Sequence, residues 1–268
     1  MKRILFLLLI PFILYGQVER SSSGGIAEID TTKYSTIYYV EGRVASIASS
    51  VSVLSTSKTV NFNSSMSVSE MQDSINAQPK NLNGYALTFQ FADGTYTLDT
   101  QLLFRGFVEG TLKIFGNAAD NSLSTTKSVT LEFTSAIGIK IESSCSIEVR
   151  YLKVSITNAG VSYGIYIVSN PYSVVRYNYV ICSQTNGGGI FFLSSKSLVI
   201  DNVIGLSGNG IISDGNSSLY SENNDDGGES NQPIYGLQAG RNGTIGKSGT
   251  QPSGSSSNEN VTGGGVIR

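Results

Sequence analysis

Asp201 and Glu222 are the residues of this sequence whose types and spacing could perform catalysis. Each carboxylate stands immediately before an asparagine, Asn202 or Asn223, at the same point of a sequence repeat. In stacked parallel strands, equivalent positions of neighbouring repeats lie about 4.8 Å apart. Two carboxylates at that separation could act as the nucleophile and the acid of a retaining glycosidase. The alternative is that both are solvated surface acids.

Tyr151 and Tyr177 occupy the same point of the two preceding repeats. Their rings would line up with the two acids, and an aromatic ring offers an apolar face on which a sugar can stack. The sequence therefore predicts a carbohydrate-binding surface along one line of the repeat, with these tyrosines as binding residues.

These positions belong to a repeat of 21 to 26 residues between 138 and 225. Each copy opens with a glycine followed by isoleucine: Gly138, Gly164, Gly189 and Gly210. A second anchor keeps the same step, and its fourth residues are Leu152, Asn178, Asn202 and Asn223. Self-similarity at such a period is typical of a solenoid.

Apolar residues alternate within each copy, as Ile165 and Ile167 do after Gly164, and this is the period of a half-buried strand. No copy carries the 3.6-residue apolar spacing of a helix. Coils of short strands and turns bury their apolar edges by stacking on one another, so the sequence predicts an all-β parallel β-helix. In that fold, Asn178, Asn202 and Asn223 are predicted to form a structural ladder, each amide bonding to the next.

Residues 1–16 have the pattern of a secretory signal peptide, because Lys2 and Arg3 precede an apolar run too short to span a membrane. The sequence therefore predicts a secreted, periplasmic or cell-surface protein with no membrane span after signal removal. Residues 17–63 are rich in Ser and Thr and are predicted to form an arm or lead-in segment.

Ser67 and Glu70 form a capping box at the start of a predicted short helix, whose apolar face holds Val68, Met71 and Ile75. Such a helix is suited to cover the unpaired strand edges at the N-terminal end of a solenoid. The β-helix domain is predicted over residues 64–240, and a Gly/Ser/Asn-rich tail over 241–268.

A family resemblance rests on the strand that precedes Asp93-Gly94-Thr95-Tyr96, the strand Gly110 to Asn117, and the Gly-Ile coils with in-phase asparagines. This combination resembles the right-handed parallel β-helix proteins of the pectate-lyase-like superfamily. Residues 71–117 and 243–254 are most similar to β-helix parts of phage tail or prophage structural proteins. The resemblance implies a right-handed coil and, for enzymatic relatives, lyase chemistry with calcium.

Composition excludes several functions. The chain has no histidine, which excludes His-dependent triad hydrolysis and a His-ligated zinc site. A net charge of −2 provides no basic stripe for nucleic acid. Cys145 and Cys182 fall at different points of the coil, so no disulfide is predicted. No metal site or cofactor is predicted, apart from calcium under the enzymatic alternative.

Two function classes remain for such a scaffold. The favoured one is an exported, non-catalytic β-helix that binds a polysaccharide or cell-surface glycan, or that forms part of a phage-tail-like appendage. A homotrimer is the assembly considered for it. The alternative is a polysaccharide lyase or glycoside hydrolase, and the fold alone does not choose between them.

Overall fold

The computed structural model describes residues 52–158, 160–183, 187–205, 207–228 and 232–268. The predicted signal peptide and most of the predicted arm lie outside these residues. Within them, the strands form three parallel sheets, accompanied by one helix, α1 (Val68–Asn76), in a β-solenoid of about eight turns. The predicted parallel β-helix architecture is confirmed.

The chain passes through the three sheets in the same order in each full turn, so successive strands of a sheet come from successive turns. In the described residues, sheet 1 has nine strands: β1 (Lys58–Phe62), β2 (Ala86–Phe91), β5 (Thr111–Phe115), β8 (Ser146–Arg150), β11 (Ser173–Arg176), β14 (Lys196–Ile200), β17 (Ser218–Glu222), β19 (Thr244–Ser248) and β21 (Val266–Ile267). Sheet 2 has five there: β3 (Gly94–Leu98), β6 (Val129–Phe133), β9 (Lys153–Ile156), β12 (Tyr179–Cys182) and β15 (Val203–Gly205). Sheet 3 has seven there: β4 (Leu102–Arg105), β7 (Ile137–Glu142), β10 (Tyr163–Val168), β13 (Gly188–Leu193), β16 (Asn209–Asp214), β18 (Tyr235–Ala239) and β20 (Ser257–Val261).

The stack extends beyond both predicted boundaries of the β-helix domain. β1 lies within the predicted arm and pairs with β2, while β19, β20 and β21 lie within the predicted tail and continue sheets 1 and 3. The glycines of the tail are there because its turns are tightly packed: a Cβ on Gly243 would lie 2.1 Å from the backbone oxygen of Ser213. Glycine is required where two backbones approach each other this closely, so a high glycine content does not by itself indicate disorder.

The interior is a continuous apolar core in which like residues stack in register. One column runs through sheet 3 and is fully buried: Ile139, Ile165, Ile190, Ile211 and Leu237. The first turns instead hold an aromatic cluster, in which Phe62 lies 5.1 Å from Phe91 and Phe89 lies 5.2 Å from Phe104, ring centre to ring centre. Edge-on contacts of this kind add to the free energy gained by burial.

The repeated glycines allow sheets 2 and 3 to approach each other. A Cβ on Gly164 would lie 2.2 Å from Cγ1 of Val180, and a Cβ on Gly189 would lie 2.3 Å from Cγ2 of Ile204. Any larger residue at these positions would push the two sheets apart. The Gly-Ile anchors of the sequence are therefore a packing requirement.

Two charged residues occupy inward register positions near the C-terminal end of the stack, where their side chains are 34% and 38% exposed. Lys247 follows Ser221 in the sheet 1 register, Glu259 follows Leu237 in the sheet 3 register, and the two side chains form an ion pair. Inward-pointing charges of this kind discourage edge-to-edge association of strands.

Helix α1 begins with the predicted capping box. The Ser67 side chain accepts a hydrogen bond from the Glu70 amide, and the Glu70 carboxylate accepts one from the Ser67 amide at 2.7 Å. Met71 and Ile75 are fully buried in the core. Gln72 lies beside β4 of sheet 3, where its side chain exchanges two hydrogen bonds of 2.9 Å with the backbone of Leu103.

Candidate functional site

A ladder of buried asparagines follows sheet 1 at the corner that leads into sheet 2. The Asn178 side-chain amide donates to the Asn202 side chain at 3.0 Å, and the Asn202 amide donates to the Asn224 side chain at 3.0 Å. All three are fully buried and also bond to backbone groups of neighbouring turns. The third member is thus Asn224, whereas the sequence repeat placed Asn223 there. The strand register explains the shift, because Glu222 pairs with Ile200 and Asn224 therefore matches Asn202.

The residue before each ladder position turns the corner with a left-handed backbone. The φ angles are +59° at Tyr177, +53° at Asp201 and +49° at Asn223. Tyr151 has the same conformation one turn earlier, with φ of +65°. Asparagine and aspartate tolerate this region, but it costs about 1–2 kcal/mol for most other side chains. The contacts of the two tyrosine side chains must therefore offset this conformational cost.

Those contacts cover the faces of both predicted sugar-binding tyrosines. The Tyr151 and Tyr177 rings stack on each other with centres 5.9 Å apart and planes 10° apart. The Arg176 guanidinium lies 4.3 Å from the centre of the Tyr177 ring, and the Phe115 ring packs edge-on against Tyr151 at 5.8 Å. A sugar needs a free ring face to stack on, and these contacts occupy the ring faces. The stacked tyrosines therefore contribute to packing at the protein surface.

The two predicted catalytic acids are not at equivalent positions. Asp201 pairs with Arg176 of the previous turn, whose Nε and Nη2 donate to one carboxylate oxygen at 3.0 and 2.8 Å. Glu222 lies on β17 opposite Ile200, and the residue that matches Asp201 in that turn is Asn223. The prediction that the two carboxylates occupy equivalent positions in consecutive turns is therefore wrong by one residue. The cause is the same strand register that places Asn224 in the ladder.

The acids do not gather elsewhere in the described residues. No group of three or more Cys, Asp or Glu side chains there is arranged so that it could hold a metal ion. Cys145 and Cys182 are buried and unbridged, as predicted. Burial raises the pKa of Cys145 to about 11 and that of Cys182 to about 12, so both stay protonated thiols at neutral pH.

A groove on the outer face of sheet 3 is the cavity with the most features of a binding site. Its apolar floor comes from Phe191 and Ile212, which follow Tyr166 in one outward row of the sheet. Tyr163 leans across Gly188 and stacks on Phe191 with ring centres 4.8 Å apart. Phe191 and Ile212 are 7% and 6% exposed, so the partly exposed Tyr163 supplies the accessible aromatic surface of the groove.

Polar groups form the wall of this groove on the side of the later turns. Arg241 forms an ion pair with Asp214, its Nε lying 2.8 Å from one carboxylate oxygen, and the side chains of Asn209, Gln238 and Thr262 complete the rim. The groove encloses about 290 Å³. The Asn209 side-chain amide donates to the Gly187 backbone oxygen at 3.4 Å, and its side-chain oxygen is buried without a hydrogen-bond partner.

The charge state of the rim follows from these contacts. The Arg241 guanidinium, with help from the Gly215 amide, holds the pKa of Asp214 below its usual range. Burial raises the pKa of Tyr163. At neutral pH the rim therefore combines an ionised Asp–Arg pair with neutral hydroxyl and amide groups.

A second buried polar ladder holds Asp214 in place. It runs along the corner between sheets 3 and 1, where the Ser195 hydroxyl accepts from the Asn170 amide at 3.1 Å and the Ser217 hydroxyl accepts from the Ser195 amide at 3.1 Å. Ser217 in turn donates to the Asp214 backbone oxygen at 2.6 Å. The strand end that carries the groove carboxylate is therefore fixed to the turns before it.

The sequence contains a signal for this groove that the spacing of the acids obscured. Tyr166, Phe191 and Ile212 each stand two residues after a repeated glycine. The alternation of a strand places them on the outer face, in phase, in three successive turns. Gln238 carries the same signal, because it stands two residues after Gly236 and follows Ile212 in register, whereas no repeated residue predicts Arg241.

No protein-family model matches the chain, and no curated protein matches it. Among the described residues, no helix is both long and apolar enough to cross a membrane.

Proposed function

We propose that this protein is an exported, non-catalytic β-solenoid that binds glycans through the groove on sheet 3. The observation that carries the proposal is the combination of the Tyr163–Phe191 aromatic surface with the Asp214–Arg241 pair in one concave site. Binding sites for small molecules are typically concave and apolar with a few placed polar groups.

A sugar ring fits the chemistry of this groove. A pyranose has an apolar face of C–H groups and a rim of hydroxyls that both donate and accept hydrogen bonds. The apolar face would rest on Tyr163, which is partly exposed and is supported from beneath by the buried Phe191 ring. The hydroxyls would bond to Arg241, Gln238 and Thr262 on the rim.

The proposal also includes export of the protein, the hand of the coil and the role of α1. The basic and apolar residues 1–16 support export, since they match a secretory signal. A right-handed coil of the pectate-lyase-like type is supported by the general preference of parallel crossovers for that hand. A capping role for α1 is supported by Gln72, which bonds to β4 as a neighbouring strand would.

A glycan array probed with the full chain and with Arg241→Gln tests the function. We expect the full chain to bind a defined subset of glycans and Arg241→Gln to lose signal on that subset. Arg105→Gln is the matched control, because Arg105 is an exposed arginine on sheet 3 that pairs with Glu142 outside the groove. Absence of binding to every glycan, or equal losses in the two variants, would contradict the proposal.

Incubation with each bound polysaccharide tests whether binding is accompanied by cleavage. Hydrolysis produces new reducing ends, and elimination produces unsaturated products that absorb in the ultraviolet. We expect neither product. Turnover that disappears in Asp201→Asn while the fold is retained would establish the enzymatic alternative and overturn the non-catalytic assignment.

A further inference from the structure

Sheet 1 carries an apolar patch on its outer face, away from the groove on sheet 3. Four outward side chains in three successive turns form it, and they are called the sheet 1 patch below: Val174, Leu198, Ile200 and Tyr220. Tyr220 is 40% exposed, and the other three are partly exposed. Alternation normally gives the solvent face of a strand polar residues, so an aliphatic run there is a candidate contact surface.

Opposite charges flank the patch at equal distances. Arg176, Ile200 and Glu222 occupy one outward row in successive turns, so each charge lies one turn, about 4.8 Å, from Ile200. Arg176 uses its Nε and Nη2 on Asp201 and keeps its remaining nitrogen for another partner. The Glu222 carboxylate makes no hydrogen bond or ion pair within the described part of the chain.

We propose that two copies of this chain associate face to face through the sheet 1 patch, with their solenoid axes antiparallel. The two-fold axis runs along β14, so that the Leu198 and Ile200 side chains of the two copies meet at the centre. One turn away on either side, Arg176 faces the partner's Glu222, and Val174 faces the partner's Tyr220. A two-fold contact must be complementary to itself, and this arrangement pairs Arg176 with Glu222 and apolar side chains with apolar side chains. Lys196, the remaining outward side chain of β14, lies opposite its own copy at the edge of the contact.

The parallel arrangement of the same two faces lacks this complementarity. A two-fold axis along the solenoid keeps the turns aligned but exchanges the two outward rows. Arg176 would then oppose the partner's Val174, and Glu222 would oppose the partner's Tyr220. Each charge would lose water without gaining an opposite charge, which is costly. The charges therefore select the antiparallel dimer.

The dimer leaves the groove accessible, because the groove lies on sheet 3 and the patch on sheet 1. Each assembly would present two grooves pointing in opposite axial directions. Two linked sites raise the apparent affinity for a surface that offers many copies of a glycan. Dimerisation itself is independent of glycan binding and can be measured without any ligand.

Sedimentation velocity of the full chain and of Leu198→Lys tests the proposal. We expect a dimer for the full chain and a monomer for Leu198→Lys, because two lysines would meet at the centre of the interface. Thr88→Lys is the matched control, since Thr88 lies in the same outward row three turns before Val174 and is expected to leave the dimer intact. A full chain that is monomeric up to about 1 mM, a trimer, or a dimer unchanged by Leu198→Lys would overturn the proposal.

Charge reversal tests the antiparallel orientation. Glu222→Arg places arginine opposite the partner's Arg176 and is expected to weaken dimerisation at least about tenfold. Adding Arg176→Glu to the same chain exchanges the two charges and is expected to restore it. Circular dichroism of each variant checks that the solenoid is intact, since Arg176→Glu also loses the contact with Asp201. No effect of Glu222→Arg in a chain that dimerises would refute the antiparallel arrangement.

Discussion

Asn202 is the residue on which the corner between sheets 1 and 2 depends most. Its amide nitrogen donates to the Val175 backbone oxygen at 2.9 Å, and its side-chain oxygen accepts from the Asn178 backbone amide at 3.0 Å. We expect Asn202→Leu to lower the free energy of unfolding by about 1–3 kcal/mol, because buried polar groups on both neighbouring turns lose a partner. Urea denaturation measures the change.

Asn223 provides the control for that experiment, since it lies outside the ladder and only turns the corner with φ of +49°. Asn223→Gly should change stability by no more than a few tenths of a kcal/mol, because glycine adopts this backbone conformation readily. Equal destabilisation by the two substitutions would mean that the register is that of the sequence repeat.

Tyr177 is expected to matter for stability and not for glycan binding. Its ring stacks on Tyr151 and is covered by the Arg176 guanidinium. Tyr177→Ala removes both contacts while keeping the same backbone strain, so we expect a loss of about 1–2 kcal/mol. Thermal denaturation and glycan titration of the same preparation separate the two roles. A stable variant with weakened binding would return Tyr177 to the binding surface.

The stability of the protein depends on pH through Asp214, the carboxylate of the groove. Its pKa is lowered in the folded protein by Arg241, so the unfolded state binds the proton more readily. The contribution of the pair to stability is therefore complete above the unfolded pKa of about 3.9 and is lost as the pH falls through the lower folded pKa. We expect Asp214→Asn to be less stable than the parent chain at pH 7, and this difference to shrink below about pH 4. Urea midpoints at both pH values measure it, and a difference that grows on acidification would contradict the pairing.

At the scale of elements, α1 is linked to β4 by hydrogen bonds from one side chain. Gln72 supplies one donor and one acceptor to Leu103, which are the two groups that a neighbouring strand would offer. Gln72→Ala should lower stability by about 1–2 kcal/mol, because the Leu103 amide and carbonyl lose their partners. Gln78→Ala is the control, since the Gln78 side chain bonds only to Ser74 within the helix and leaves its oxygen unpaired. Equal effects would show that the helix does not support β4.

The elements also show what the sequence could and could not predict. The Gly-Ile anchors predicted four turns of sheet 3, and glycine is required at Gly138, Gly164 and Gly189 because sheet 2 lies close to them. Gly210 is required because it packs against the backbone of Gly236. The ladder was placed one residue early in its last turn, because Asn223 and Asn224 are adjacent and composition cannot tell a corner asparagine from an inward one. Only the pairing of Ile200 with Glu222 separates them.

At the scale of the whole molecule, the solenoid changes character along its length. Its first turns are filled by phenylalanine and its middle turns by isoleucine and valine. In the turn of β19, Ile245 continues the core while the Lys247–Glu259 pair is partly exposed. The outer faces also differ from one another: sheet 3 carries the groove, and sheet 1 carries the sheet 1 patch. The groove could not be predicted as a unit, because it unites residues from 163 to 262 that meet only when the turns stack.

The most direct test of the account is calorimetric titration of one glycan identified on the array against the full chain, Phe191→Ala and Phe115→Ala. Both substitutions remove an outward phenylalanine that packs against another ring, but only Phe191 lies in the groove. The account predicts at least a tenfold loss of affinity, about 1.4 kcal/mol, for Phe191→Ala and no change for Phe115→Ala. Unchanged affinity in a folded Phe191→Ala variant would contradict it.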